Sequence, residues 1–393
     1  MSDAILALNA GSSSVKFGVY DVEPTTGEPS AAARGTLNVG ASSRLIASAV
    51  DGTLLVERSF PEDGLAAAIR VLLDWIEREF GGRRVAACGH RIVHGATSFS
   101  DPVRLTPALV DAIDGLTPLA PLHQPRSVAP IRALLELRPD LPQIGCFDTA
   151  FHRTMGPPAS RFALPRDYEA RGIRRFGFHG LSYEYVAGRL REEGKAGMKT
   201  VVAHLGNGAS LCAMKDGRSL DTTMGFSALD GLVMGTRCGA IDPGVLLYLM
   251  RHGGMTPNDL EDLLYRQSGL LGVSGLSGDM RDLEASADPR AREAIDLFAF
   301  RVSRETAALA NTLEGLDCLV FTAGIGEHSA VVRKAVCERL RWLGVAIDQA
   351  ANEAHAGQIG LPASSIEVRI MPTDEESVIA SHACDLVRPG RMS

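Results

Sequence analysis

The sequence lacks paired cysteines, basic runs and long apolar stretches, and each absence closes off a class of function. Cys88, Cys146, Cys212, Cys238, Cys318, Cys337 and Cys384 are an odd number with no C-x-x-C pair. That excludes a disulfide framework and a thiolate zinc site, and reads as buried cytosolic thiols in a cytoplasmic protein. No run of Lys and Arg accompanies the net charge of −7, so nucleic acid is not an expected partner. No apolar stretch approaches the ~20 residues that span a bilayer. The opening Met1-Ser2-Asp3 carries no charged, apolar signal segment, so neither a membrane nor a secretory route is expected. What is present is ample core. Of 393 residues, 45% are hydrophobic and 22% charged, which is too long a chain for one ordinary core, and two domains are expected.

The start of the chain sets the pattern. Residues 4–8 read as a buried strand and 15–20 as its returning partner, with Asn9-Ala-Gly11-Ser12-Ser13-Ser14 as the turn and Lys16 just beyond. Such a turn can wrap anionic oxygen with short donors, the lysine adding a point charge, or it can be a solvated hairpin tip. The same layout returns at 200–217: an apolar strand, His204-Leu205-Gly206-Asn207-Gly208, a second apolar strand and a terminal Asp. Gly11 falls on Gly206 and Asp21 on Asp216 without gaps. A repeat of this size suggests two similar domains facing a cleft, each with a glycine-rich hairpin, and points to nucleotide chemistry.

Between the hairpins, 61–80 reads as an amphipathic helix with Leu65, Ile69, Leu72, Leu73 and Ile76 on one face. The segment 85–95 reads as a strand running into a loop with His90, Arg91 and His94. The Arg91 guanidinium can hold a carboxylate or phosphate as a bidentate fork, or serve a structural salt bridge. Val93 and His94 can equally line a core. A strand from 143 exits at Asp148, a carboxylate suited to a divalent cation or to orienting an attacking oxygen. A domain boundary is placed near 149. The turn 176–182 carries His179 between glycines, with Ser182 as a plausible helix N-cap. Arg237 sits in a second loop of short residues. Gly324-Ile325-Gly326-Glu327-His328 reads as a strand–glycine turn–helix junction suited to nucleotide, although G-x-G alone is weak. Glu375 and Glu376 can reach Mg²⁺ or form the acidic first turn of a helix.

In this order, Asn9–Lys16, Gly89–Gly95, 147–152, Gly177–Gly180, His204–Gly208, Gly235–Gly239 and 322–327 closely resemble the acetokinase family of the acetate and sugar kinase, Hsc70 and actin superfamily, from residue 4 to about 385. The resemblance implies an α/β fold of two duplicated actin-like (ribonuclease H-like) domains. Each would be a mixed five-stranded sheet flanked by helices, with a cleft between the domains. Residues 1–148 and a returning segment 373–393 would form the first, and 149–372 the nucleotide-binding second. It implies a homodimer that phosphorylates acetate with ATP and Mg²⁺ (or Mn²⁺). Asn9 and Glu375 would lie at the metal, with Lys16, Ser12 and Ser14 near the phosphates. His204, Leu205, Gly206, Asn207 and Gly208 would contact ATP, as would Asp279, Met280 and Arg281, and Gly324, Ile325, Gly326, Glu327 and His328. Asp148 would be the essential acid, Arg91 the anchor of the substrate carboxylate, and Arg237 and His179 the stabilisers of the transferring phosphoryl group. Val93, Leu122, Phe178 and Ala228 would line the methyl pocket. Several positions depart from the family pattern: Ala228 for Pro, Asp230 for Glu, His328 for Asn, Ala96 for Gly and Ala240 for Asp. The smaller Ala228 leaves propionate open as substrate. An Hsc70-like module that binds ATP without transferring phosphate is the reading of another class, and it would need none of Arg91, Asp148, His179 and Arg237.

Overall fold

The computed structural model describes residues 3–11, 14–23, 27–40, 43–61 and 64–388. The chain divides into two compact units, Met1–Ala150 with Asp374–Ser393, and Phe151–Thr373.

In the first unit, β1 (Asp3–Ala10) and β2 (Ser14–Val22) make the leading hairpin, with Asn9 opposite Lys16. Antiparallel strands β3 (Pro29–Asn38), β4 (Ser43–Ala49) and β5 (Leu54–Phe60) continue from β2. On the other side β6 (Arg84–Ile92) and β8 (Gln143–Phe147) join in parallel, and the short β7 (Val103–Arg104) pairs antiparallel with β8. The order is β5-β4-β3-β2-β1-β6-β8-β7. Every residue from Ala4 to Leu8 is buried, as a central strand covered on both faces requires.

The second unit repeats this arrangement. Its strands are β9 (Thr200–Leu205), β10 (Ala209–Lys215), β11 (Arg218–Thr222), β12 (Cys318–Thr322) and β13 (Glu367–Ile370). They run β11-β10-β9-β12-β13, the first three antiparallel and the last three parallel. That matches β3-β2-β1-β6-β8 strand for strand. The first sheet thus exceeds the expected five strands only at its edges, where β4, β5 and β7 find hydrogen-bond partners that would otherwise be water.

Helices set the site residues on these sheets. Leu65–Asp74, continued by a π turn at Trp75–Glu79, buries Ile69, Leu72, Leu73 and Ile76, with Trp75 edge-on to Phe17 at 6.2 Å. The final helix Glu375–Val387 lies against β1 and β6. Asp374 caps it by accepting the Ser377 amide (3.0 Å), which satisfies an N-terminal N–H and fixes where Glu375 starts. In the second unit Gly180–Glu192 packs Tyr183, Val186 and Leu190 over Val202, Cys212 and Val320.

Two local expectations are corrected. Ser182 is not a cap: the helix begins at Gly180 behind His179, and Ser182 is a fully buried interior residue. Gly324-Ile325-Gly326 is not a turn either, because Ala323–His328 is already helical. Among the described residues no helix is long and apolar enough to cross a membrane.

Candidate active site

On the first unit, four side chains from three elements meet around one amide. Arg91 lies within β6, one residue before its end, rather than in the loop that the sequence suggests. Asp148 directly follows β8 and is held by its amide bonding the Ile92 carbonyl at 2.9 Å. Parallel pairing of β6 with β8 therefore brings the two side chains together. Arg91 Nε and Nη2 both donate to Asp148 Oδ2, at 2.8 and 2.5 Å, and Nη1 donates to Asn9 Oδ1 at 3.2 Å. The Asn9 amide in turn donates to Glu375 Oε2 (3.0 Å) and Glu376 Oε1 (2.9 Å). Asp148 is 0% exposed and the Arg91 side chain 19%.

The electrostatics follow from that burial. Desolvation alone would weaken the Arg91 charge, but Asp148 and Glu375 beside it raise its pKa, so it is a permanent cation. Glu376 is pushed towards its neutral form: burial first, then Glu375, raise its pKa. Glu375 and Glu376 are the acidic first turn of their helix.

The second unit holds a different constellation. His179 occupies the left-handed region (φ +59°) between Phe178 and the helix Gly180–Glu192. Its Nδ1 lies 2.8 Å from Ser210 Oγ, which is itself 2.5 Å from Tyr183 Oη. The ring stacks on His204 at 4.2 Å, and His204 Nδ1 lies 2.8 Å from Ser182 Oγ. Burial raises the Tyr183 pKa far above its ordinary value, so its hydroxyl stays protonated. When Ser210 donates to His179 Nδ1, the ring proton sits on Nε2. Arg237 Nη1 donates to the Ala228 carbonyl at 2.7 Å. A Cβ on Gly208 would lie 3.3 Å from both Arg237 Nη2 and His179 Nε2. A guanidinium nitrogen and an imidazole nitrogen thus converge above one glycine, an arrangement that suits an anionic oxygen when Nε2 carries the ring proton.

Beside that hairpin is a cavity of about 380 Å³, lined by Gly206, Asn207, Gly278, Asp279, Met280, Arg281, Glu284, Gly324, Ile325, His328 and Ser329. Its size is within the range of small-molecule sites. Three separate stretches build it: the β9–β10 turn, the start of helix Met280–Ala285 and the helix Ala323–His328. Asp279 caps the Met280 helix and is bound bidentately by Arg281, which lowers its pKa.

The expected residues distribute unevenly. Gly206, Asn207, Asp279, Met280, Arg281, Gly324, Ile325 and His328 line this one cavity. His204, Leu205 and Gly326 are buried beneath it, and Glu327 instead accepts the Thr373 amide. Lys16 is exposed on β2 and Ser14 half-buried, while Ser12 lies outside the described residues. Val93 is buried, Leu122 half-buried, Phe178 buried and Ala228 half-buried. His94 is structural: Gln124 bonds both its amide and its carbonyl. Sequence reasoning did not place Ser210, Tyr183, Glu284 or Ser329 at a site. Ser210 alone carried a signal, since it stands opposite His204 in the β9–β10 register.

The donor set suits Mg²⁺. Asn9, Asp148, Glu375 and Glu376 offer only hard oxygen ligands, and no three carboxylate, histidine or cysteine side chains among the described residues converge as a ready-made cage. Mg²⁺ uses one or two carboxylates and completes its shell with water and phosphate, so these residues fit it better than a dedicated all-protein site would.

The duplicated sheets, the two arginine-centred clusters and the glycine-walled cavity suit a phosphotransferase of the actin-like fold. The family model described as the acetokinase family matches residues 4–381. The chain is 50% identical over 399 residues to the acetate kinase of Rhodopseudomonas palustris, each chain covered completely. It superposes on the crystal structure of Porphyromonas gingivalis acetate kinase with a TM-score of 0.86 at 36% identity, covering 98% of this chain and 100% of that one. For a propionate kinase from Francisella tularensis the values are 0.89 and 35%, with the same coverage. The chain belongs to the acetokinase family and is a kinase.

Proposed function

We propose that the chain transfers the γ-phosphoryl group of ATP to acetate, reversibly, giving acetyl phosphate and ADP. The observation that carries this reading is the convergence of His179 Nε2 and Arg237 Nη2 above Gly208, beside the cavity assigned to the nucleotide. A protein that only binds ATP has no use for it. In phosphoryl transfer the charge spreads over three equatorial oxygens in a loose transition state, and donors aimed there lower the barrier.

The step balances simply. An acetate oxygen, already ionised at pH 7 and needing no strong base, forms a bond to the γ-phosphorus. The bond from that phosphorus to the bridging oxygen breaks, and ADP leaves with the electron pair. Arg91 anchors the acetate carboxylate, and Asp148 orients that arginine. Val93, Leu122, Phe178 and Ala228 are assigned to the methyl end of the substrate. Asn9, Asp148 and Glu375 would hold Mg²⁺, which when bound neutralises phosphate charge. Lys16, Ser12 and Ser14 are assigned to the phosphates.

Propionate is a second substrate on this reading, favoured by the small side chain of Ala228, since one methylene is worth only ~1–3 kcal/mol. The chain acts in the cytoplasm as a homodimer. Support comes from seven free cysteines and from the helix Pro243–His252, which buries none of its residues and exposes Val245, Leu247, Tyr248 and Met250. Steady-state rates with acetate, propionate and butyrate, trapping the acyl phosphate with hydroxylamine, test the assignment. Turnover of all three at the rate of ATP hydrolysis alone would overturn it.

A further inference from the structure

His152 takes no part in the chemistry above, yet both ring nitrogens are hydrogen-bonded, one of them to the turn that carries His179. It sits in the turn Ala150–Thr154 and is 2% exposed. Its Nε2 lies 3.0 Å from the Phe178 carbonyl and its Nδ1 2.8 Å from Ser219 Oγ. A carbonyl can only accept, so Nε2 carries the proton and Nδ1 accepts from the Ser219 hydroxyl. Cys212 Sγ lies 3.4 Å from the same Ser219 oxygen, which gives that hydroxyl a donor of its own. Burial holds the His152 ring to a pKa of about 4, so it is neutral at physiological pH and keeps this pattern.

The Phe178 carbonyl belongs to the peptide bond that leads into His179. That residue has φ +59°, a region that a bulky side chain enters only under constraint. Two residues earlier, Gly177 has φ +79°, and a Cβ there would stand 2.6 Å from His152 Cδ2 and 2.7 Å from Cγ. The ring therefore packs against the bare backbone of the turn and bonds the Phe178 carbonyl. Phe151 and Tyr183 close edge-on around it, at 5.9 and 5.5 Å. Tyr183 is also the residue that reaches Ser210 and, through it, His179 Nδ1.

We propose that His152 is a positioning residue for His179: by donating to the Phe178 carbonyl it fixes the left-handed turn and keeps His179 Nε2 above Gly208 beside Arg237. The catalytic value of that position rests on the phosphotransferase reading, but the positioning itself does not. Loss of the hydrogen bond releases the 178–179 peptide to rotate out of the strained conformation, and the imidazole moves with it. A displacement of about 1 Å at a reacting centre can cost on the order of 10²-fold in rate.

Three variants of the full chain separate positioning from packing. His152→Gln carries an amide donor at the reach of Nε2, His152→Asn carries it only at the reach of Nδ1, and His152→Phe keeps ring volume without polar atoms. The readouts are the ¹⁵N and ¹H signals of the His179 ring in histidine-labelled protein, the melting temperature, and kcat with KM for ATP and acetate. We expect the glutamine variant to keep the His179 signals and most of kcat. The asparagine and phenylalanine variants should shift or split those signals and lower kcat by about 10²-fold with little change in KM for ATP. If the phenylalanine variant does not fold, the glutamine and asparagine pair decides. Unmoved His179 signals in the asparagine variant, or equal losses in the glutamine and asparagine variants tracking their melting temperatures, would overturn the proposal. Absence of phosphoryl transfer in the unaltered protein would overturn the functional reading alone, since the His179 signals report the positioning without it.

Discussion

Replacing Arg91 by methionine keeps the volume of the side-chain stem and removes the charge, so it isolates what the guanidinium does. In the folded chain Asp148 has no exposure, and both Arg91 Nε and Nη2 reach its Oδ2. Taking away one partner of a buried ion pair leaves an uncompensated charge and costs about 3–5 kcal/mol. For a unit of 150–250 residues each kcal/mol shifts the melting temperature by about 2–4 °C, so the expected fall is ~6–20 °C. Calorimetry on the purified variant reads it as a displaced transition of the first unit. Adding Asp148→Asn to the same chain removes the orphaned charge, and the double variant should melt above Arg91→Met alone. Activity behaves differently. Loss of a charge-stabilising donor costs on the order of 10²–10³ in kcat, and the second substitution restores none of it. Stability that recovers while activity does not is the signature of a pair whose arginine serves the substrate. The reasoning fails if Arg91→Met melts with the unaltered protein and turns over near its rate, or if the double variant is no more stable than the single.

Further expectations follow from single contacts. Asp148→Asn should be nearly inactive in steady-state assays while Asp148→Glu keeps a trace, because an amide lacks the charge that orients Arg91; a fully active asparagine variant would reduce Asp148 to a structural role. Ala228→Pro should lower kcat/KM for propionate more than for acetate, by a factor within the ~1–3 kcal/mol of one methylene. An unchanged ratio with a lower melting temperature would make residue 228 a packing position. Burial holds His90 to a pKa of about 4, well under the ordinary histidine value. Between pH 6.5 and 4 the unfolded chain therefore binds a proton there that the folded chain does not. Stability of the first unit should fall with decreasing pH at about 1.4 kcal/mol per pH unit from this group. Denaturant titrations of His90→Leu across that window should show a shallower slope, and an unaltered slope would contradict the assignment.

Much of this architecture was legible in the residues. The two hairpins announce themselves because Gly11 and Gly206 interrupt runs that are apolar on both faces, and the folded sheets share strand order and sense around them. The expectation of five strands left out β4, β5 and β7, which lengthen the first sheet at its edges. At the site, residue types with one plain chemistry stood out: Arg91, Asp148, Arg237 and the carboxylate pair at 375–376. The supporting contacts did not. Ser210 and Tyr183 meet His179 only because a strand register and a helix face turn them the same way. Glycines 324 and 326 looked like a turn because glycine ordinarily disfavours helix interiors, yet here they let the helix Ala323–His328 face a cavity. The resemblance put Asn9 with Glu375, but nothing local shows that Asn9 bridges an arginine on one strand to two glutamates near the other end of the chain.

The central claim is that a carboxylate oxygen takes the γ-phosphoryl group directly from ATP. Phosphorus-31 spectra of the purified protein with ATP, Mg²⁺ and carbon-13 acetate follow that step without a coupling enzyme. The account predicts a new acyl phosphate resonance that grows in step with ADP, is coupled to the labelled carboxyl carbon, and reverts to ATP when ADP is added in excess. Formation of ADP with inorganic phosphate only, at a rate independent of acetate, would contradict it.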